Sequence, residues 1–168
     1  MFKRLYPDEY YSSAYVIPYE DLYSQGYRGI IYDIDNTLVP HGAPADQRSI
    51  ELFNRLKSIG FDCTLLSNNK QPRVDMFNKD ANVHTISKAG KPKVEGYLKA
   101  CELMGTNVEN TLFIGDQIFT DVWGAKRAGI KALMVKYMDP HEEIQIILKR
   151  RLEWFVLKAY LRHHTMKK

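Results

Sequence analysis

Asp33-Ile34-Asp35-Asn36-Thr37 sets two carboxylates and a hydroxyl at alternate positions directly after the apolar run Ile30-Ile31-Tyr32. If that run is a strand, both aspartates emerge together at its carboxyl end. A carboxylate pair so placed can hold a divalent cation while one member attacks an electrophile and the other moves protons. Three further clusters have compatible chemistry. Leu65-Leu66-Ser67-Asn68-Asn69 puts a hydroxyl and backbone N–H groups ahead of a helix N-terminus, where phosphate binds readily; the plainer reading is a Ser N-cap. Lys88-Ala89-Gly90-Lys91-Pro92-Lys93 offers ammonium groups to neutralise a phosphate. Lys91 is the first choice, because Pro92 fixes its backbone, and Lys88 the second. Phe113 to Asp121 carries two acids five residues apart. Gly115 frees the backbone so that Asp116 turns toward a cation, while Asp121 either joins it or simply favours the N-terminus of its helix.

The elements that position these groups follow from hydrophobic spacing. Strands are predicted over 29–32, 61–66, 83–86, 111–114 and 131–135, and helices over 45–59, 72–79, 92–104 and about 121–128, with a long last helix from near Pro140. Pro92 is read as opening its helix. Strand-helix alternation with short connections implies an α/β fold with a mainly parallel sheet and helices on both faces. Ligands in such folds sit beyond the carboxyl ends of the strands, and every cluster above falls just after a strand.

The 168 residues, 45% hydrophobic and 26% charged, suit one globular domain. Cys63 and Cys101 lie far apart, which offers neither a disulfide framework nor a zinc cluster and suits a reducing compartment. Pro7, Asp8 and Glu9 interrupt any signal-peptide core, and no apolar run approaches the roughly 20 residues of a membrane span. The expectation is a cytoplasmic chain. Its net charge of +4 is unevenly placed. Residues 149–168 hold seven basic groups and one acid, and the remaining 17 basic and 19 acidic residues leave the first 148 at −2. A local anionic partner is implied rather than a generally nucleic-acid-binding surface.

The order Asp33/Asp35/Thr37, Ser67, Lys91, Asp116/Asp121 resembles the haloacid dehalogenase (HAD) superfamily of aspartate-nucleophile phosphatases over residues 28–136. The continuations Asp-Asn-Thr-Leu-Val, Ser-Asn-Asn, Lys-Pro and Gly-Asp-Gln-x-x-Thr-Asp-Val, with Gly124 and Gly129, resemble its subfamily IIIA phosphatases of the YqeG type, a group similar to the mitochondrial phosphatidylglycerophosphate phosphatase. The resemblance implies a Rossmann-like three-layer α/β/α core, Mg²⁺ and an aspartyl-phosphate intermediate. It assigns Asp33 as nucleophile and Asp35 as acid/base. Mg²⁺ falls to Asp33, the Asp35 carbonyl and Asp116, with Asp121 holding its waters or Lys91, and phosphoryl contacts to Asn36, Thr37, Ser67, Asn68 and Lys91. Superfamily members with covering caps insert them soon after the first aspartates or between the Ser and Lys motifs. Both gaps are short here, so a capless enzyme with an open site is expected, with His41 on a nearby loop. The implied substrate is phosphatidylglycerophosphate, the alternative a soluble nucleotide or sugar phosphate.

Seven tyrosines crowd the first 27 residues, either packing an arm on the sheet or seeking headgroup depth at a membrane. In the last helix Ile144, Leu148, Leu152, Phe155, Val156 and Ala159 share an arc suited to docking on the domain. Trp154, Leu157 and Leu161 fall outside it among Arg150, Lys158 and Arg162. Those residues fit an anionic membrane surface, where each nearby basic group adds on the order of 1 kcal/mol, or a homo-oligomer contact. Interaction with RNA through the basic tail is the remaining alternative. Against it, aromatic-basic interleaving is confined to the chain ends.

Overall fold

In the computed structural model, which describes residues 3–140 and 144–168, the apolar runs become parallel strands. They are β1 (Glu9–Tyr11), β2 (Gly29–Tyr32), β3 (Asp62–Leu66), β4 (His84–Ile86), β5 (Thr111–Gly115) and β6 (Lys131–Val135). One sheet holds them all in the order β1-β6-β5-β2-β3-β4. The helices are α1 (Tyr19–Ser24), α2 (Gln47–Ile59), α3 (Gln71–Ala81), α4 (Glu95–Met104), α5 (Trp123–Ala128) and α6 (Ile144–Leu161).

Side-chain alternation along β2 sorts the helices into two layers. Ile30 and Tyr32 pack with Leu52, Phe53 and Leu56 of α2 and Val74 and Phe77 of α3, whereas Ile31 packs with Tyr97, Ala100 and Met104 of α4 and Ala125 of α5. Burial on both faces explains the unbroken apolar strand sequences, and each such side chain contributes about 1.5–3 kcal/mol. The ends of α2 are set locally. Asp46 accepts from the Ser49 N–H at 2.8 Å, the Ser49 hydroxyl accepts from the Asp46 N–H at 3.0 Å, and Gly60 closes the helix at φ 115°.

Because all strands run parallel, their carboxyl ends share one edge. The chain passes from β2 to β3 on one side, while β5 flanks β2 on the other. The crevice beyond β2 is therefore the topological switch point. Among the described residues no domain is inserted after β2 or between β3 and β4.

Several boundaries differ from the sequence expectation. The helix expected from Pro92 starts at Glu95, and residues 91–94 form a turn with a cis Lys91–Pro92 bond. A π-helical turn, Ile118–Val122, precedes α5. The described last helix starts at Ile144, and the part expected over 141–143 lies outside the described residues.

The docking arc expected on α6 holds at Val156 but is overturned at four of its other positions. Ile144, Leu148, Leu152 and Phe155 point outward, while Glu153, Val156 and Tyr160 are buried and Leu157 packs beneath. Arg150, expected on the outside, turns in toward the strand ends. The inward stripe is selected by polar anchors, since Glu153 accepts from the Phe119 N–H at 3.0 Å.

The tyrosine arm packs against its own domain. Glu9–Tyr11 adds a parallel edge strand to β6, too short to stand out in the sequence, and all seven tyrosines are buried or half-buried. Tyr19 donates to the Ala14 carbonyl at 2.6 Å and accepts from Tyr32 at 2.7 Å. The carboxyl end returns here too: Lys167 N donates to the Tyr10 carbonyl and Lys167 O accepts from Ser12 N, both at 2.7 Å. Burial would raise the Glu9 pKa, but Lys131, Lys167 and the Tyr11 hydroxyl outweigh it and bring it to about 2.

Two outcomes follow. Tyr19→Phe leaves the Ala14 carbonyl without its donor and Tyr32 without its acceptor, lowering stability by about 1–3 kcal/mol in urea unfolding without altering the strand-end geometry. A folded-state pKa below the unfolded one gives stability that is present above the usual carboxylate range and lost on acidification. Wild type therefore loses more stability than Glu9→Gln between about pH 5 and pH 2, as read from denaturation midpoints across pH.

Candidate active site

The strand ends bring together groups from five places in the chain. Asp33 follows β2, Ser67, Asn68 and Asn69 follow β3, and Asp116 follows β5, while Lys91 comes from the turn before α4 and Asp121 from the π-helical turn. The Lys91 ammonium donates to Asp33 Oδ1 and to Asp121 Oδ1, both at 2.7 Å. Its side chain is only 3% exposed. Asn68 holds the lysine backbone from both sides, accepting from Lys91 N at 2.7 Å and donating to Lys91 O at 3.2 Å. Lys88 is exposed. The structure thus selects Lys91.

Asp121 has two tasks. Its Oδ1 takes Lys91, and its Oδ2 accepts from the N–H groups of Asp116 and Gln117, both at 3.1 Å. Gly115 makes this possible, because a methyl group there would stand 2.5 Å from Asp121 Oδ2.

Asp33, Asp116 and Asp121 are buried, and their oxygens lie within 4.8 Å of one another. Burial raises the Asp33 pKa, with Asp121 and Asp116 adding to the rise and Lys91 offsetting part of it. Burial also opposes the charge of Lys91, but Asp121 and Asp33 outweigh it and hold the ammonium above its ordinary value. Three buried carboxylates within reach of one another, two of them on the Lys91 ammonium, fit a hard divalent cation, which prefers oxygen ligands.

The remaining candidates separate. The Thr37 hydroxyl donates to Asp116 Oδ1 at 3.1 Å and so orients one carboxylate of the acidic triad. Asn36, at φ 62°, accepts from Asp139 N at 3.0 Å and ties down the segment after β6. Neither side chain lines the cavity over the strand ends, whereas Asp33, Asp35, His41, Ser67, Asn68 and Lys91 do. Ser67 Oγ accepts from Asn69 N at 3.1 Å. The cavity holds about 160 Å³, well below the roughly 300 Å³ at which ligand pockets begin. A space of that size is enough for a phosphoryl group. Ile146 and Lys149 of α6 form part of the rim, so the chain's own last helix narrows the mouth expected to be open.

The Asp35 carboxylate lies outside the acidic triad. It accepts from Asn69 Nδ2 at 2.7 Å, Arg73 Nη2 at 2.8 Å and Gly42 N at 2.7 Å, with His41 Nδ1 4.0 Å away. Arg73 was not foreseen, yet one signal marks it: a cation in the first turn of a helix opposes the helix dipole and calls for a specific acidic partner. Arg150 was also misplaced. Its guanidinium donates to the Asp116 carboxylate, to Asp116 O at 2.8 Å and, more weakly, to Glu153 Oε2 at 3.4 Å. No local pattern announces this contact, which spans 34 residues.

Holding Asp35 in one orientation is the task the geometry gives to Arg73. Arg73→Ala lowers kcat roughly tenfold to hundredfold with little change in KM, and Arg73→Lys recovers part of it. Steady-state kinetics on p-nitrophenyl phosphate with matched circular dichroism checks this.

A family model described as haloacid dehalogenase-like hydrolase matches residues 46–129. The chain is 34% identical over 164 residues to "Probable phosphatase YqeG" of Bacillus subtilis (strain 168), covering 96% of this chain and 95% of that one. It is 26% identical over 160 residues to phosphatidylglycerophosphate phosphatase 1, chloroplastic/mitochondrial, of Arabidopsis thaliana, covering 87% of this chain and 45% of that protein. In fold it is similar to the cobalt-bound deoxy-D-mannose-octulosonate 8-phosphate phosphatase of Haemophilus influenzae, with a TM-score of 0.53 at 13% identity over 81% of this chain and 90% of the other. With the strand-end cluster these matches establish that the chain belongs to the haloacid dehalogenase-like hydrolases, and that it is a phosphatase enzyme.

Proposed function

We propose that the chain is a Mg²⁺-dependent phosphomonoesterase that forms an aspartyl-phosphate on Asp33 and acts on phosphatidylglycerophosphate. The observation that carries this reading is the pair of carboxylates after β2 with divided environments. Asp33 faces Lys91 and the acidic triad, and Asp35 faces Asn69 and Arg73. Two carboxylates held in different surroundings take different roles.

Asp33 attacks phosphorus in line as the ester P–O bond breaks, and Asp35 gives the leaving oxygen its proton. Asp35 then takes a proton from water, whose oxygen displaces Asp33 and releases phosphate. Lys91 keeps the Asp33 oxygen aimed and offsets negative charge beside the phosphoryl group. The Ser67 hydroxyl and the N–H groups opening α3 receive phosphoryl oxygens. Bound by Asp33, Asp116 and the Asp35 carbonyl, with Asp121 behind, Mg²⁺ would neutralise charge on those oxygens. Thr37 supports this by orienting Asp116.

The lipid substrate draws support from the relative in Arabidopsis and from a small cavity of a size suited to a phosphoryl headgroup. Phosphate release from phosphatidylglycerophosphate in mixed micelles is expected to require Mg²⁺ and to fall at least about a thousandfold in Asp33→Asn, which removes the nucleophile. Soluble nucleotide or sugar phosphates turning over far faster than the lipid would contradict the substrate assignment and leave the chemistry standing.

A further inference from the structure

The last helix is inverted. A helix on a soluble domain normally turns its apolar stripe inward, yet α6 buries Glu153 and turns Arg150 toward Asp116, while Ile144, Leu148, Leu152 and Phe155 stand 76%, 56%, 60% and 61% exposed. The spacing of four, four and three residues places these four on one outward face. Trp154 flanks them, 52% exposed, with its ring edge-on to Phe155 at 5.1 Å and Lys158 4.7 Å above it. Arg151, Lys158 and Arg162 lie on the same outward side, and the one acid of α6, Glu153, is buried against the domain.

We propose that this face is a docking surface for an anionic lipid bilayer, with α6 lying in the interface plane beside the catalytic mouth. Apolar side chains and basic groups on one face match acyl chains and anionic headgroups together. Tryptophan is suited to the boundary between them. A second copy of the chain fits less well, because a two-fold contact would set Arg151, Lys158 and Arg162 against their own like charges. Among the described residues no helix is long and apolar enough to cross a membrane, which agrees with a helix lying on the surface. The same helix lends Ile146 and Lys149, both off the outward face, to the rim of the cavity, so the docked face lies across one helix from the mouth. The proposal rests on the lipid-phosphoester reading for what reaches the site, while vesicle binding itself is independent of it.

The full chain is sedimented with phosphatidylcholine vesicles, with or without phosphatidylglycerol, none containing a phosphomonoester. Binding is expected to the anionic vesicles and not the neutral ones, to weaken with salt, and to shift fluorescence to the blue in wild type but not in Trp154→Phe. Leu148→Glu with Phe155→Glu lowers vesicle affinity roughly tenfold or more and leaves turnover of p-nitrophenyl phosphate unchanged, which shows that the variant is folded. Failure of wild type to bind anionic vesicles overturns the proposal, as does binding that survives the double change. A wild-type dimer in sedimentation velocity that the double change dissolves would also overturn it, assigning the face to a second copy. Lipid turnover in micelles without vesicle binding removes the docking surface and keeps the substrate; vesicle binding without lipid turnover does the reverse.

Discussion

The ammonium of Lys91, buried between Asp33 and Asp121, is the interaction around which the active site is organised. It joins groups separated by 58 and 30 residues along the chain. It is tolerable only because it is paired, since a buried charge that loses its partner costs about 3–5 kcal/mol. Its position depends on Asn68 holding the lysine backbone and on Gly115 leaving space for Asp121. Those in turn depend on β2, β3 and β5 ending at one edge. Remove the parallel register and the carboxylates disperse.

Groups that act through short spacing were legible in the sequence. Asp33 and Asp35, two apart after an apolar run, lie where that pattern puts them, and so do Ser67 and Asp116 after their own strands. Five strands were legible because burial on both faces leaves unbroken apolar runs. β1 was not, because three residues on a sheet edge carry too little pattern. The inward face of α6 was misread for a different reason. Helical periodicity marks which residues share a face, not which way that face turns, and Glu153 reversed the choice by meeting the Phe119 N–H. Arg73 and Arg150 act across the fold, so spacing along the chain is silent about them.

The two ends of the chain serve one edge of the molecule. Residues 9–11 extend the sheet beyond β6, and Lys167 returns to them through the backbone of Tyr10 and Ser12. Between these anchors α6 is carried past the mouth of the site, one side reaching Asp116 and the other facing outward. The same helix is thus tied to Asp116 at the site and turns Ile144, Leu148, Leu152 and Phe155 outward.

The central claim is that Asp33 carries the phosphoryl group. Acid quench of the enzyme during turnover, followed by proteolysis and mass spectrometry, reads this directly. Phosphate is expected on the peptide bearing Asp33, and to be absent from that peptide in Asp33→Asn. Phosphate found on Ser67 instead, or turnover with no phosphorylated peptide at any quench time, would contradict the account.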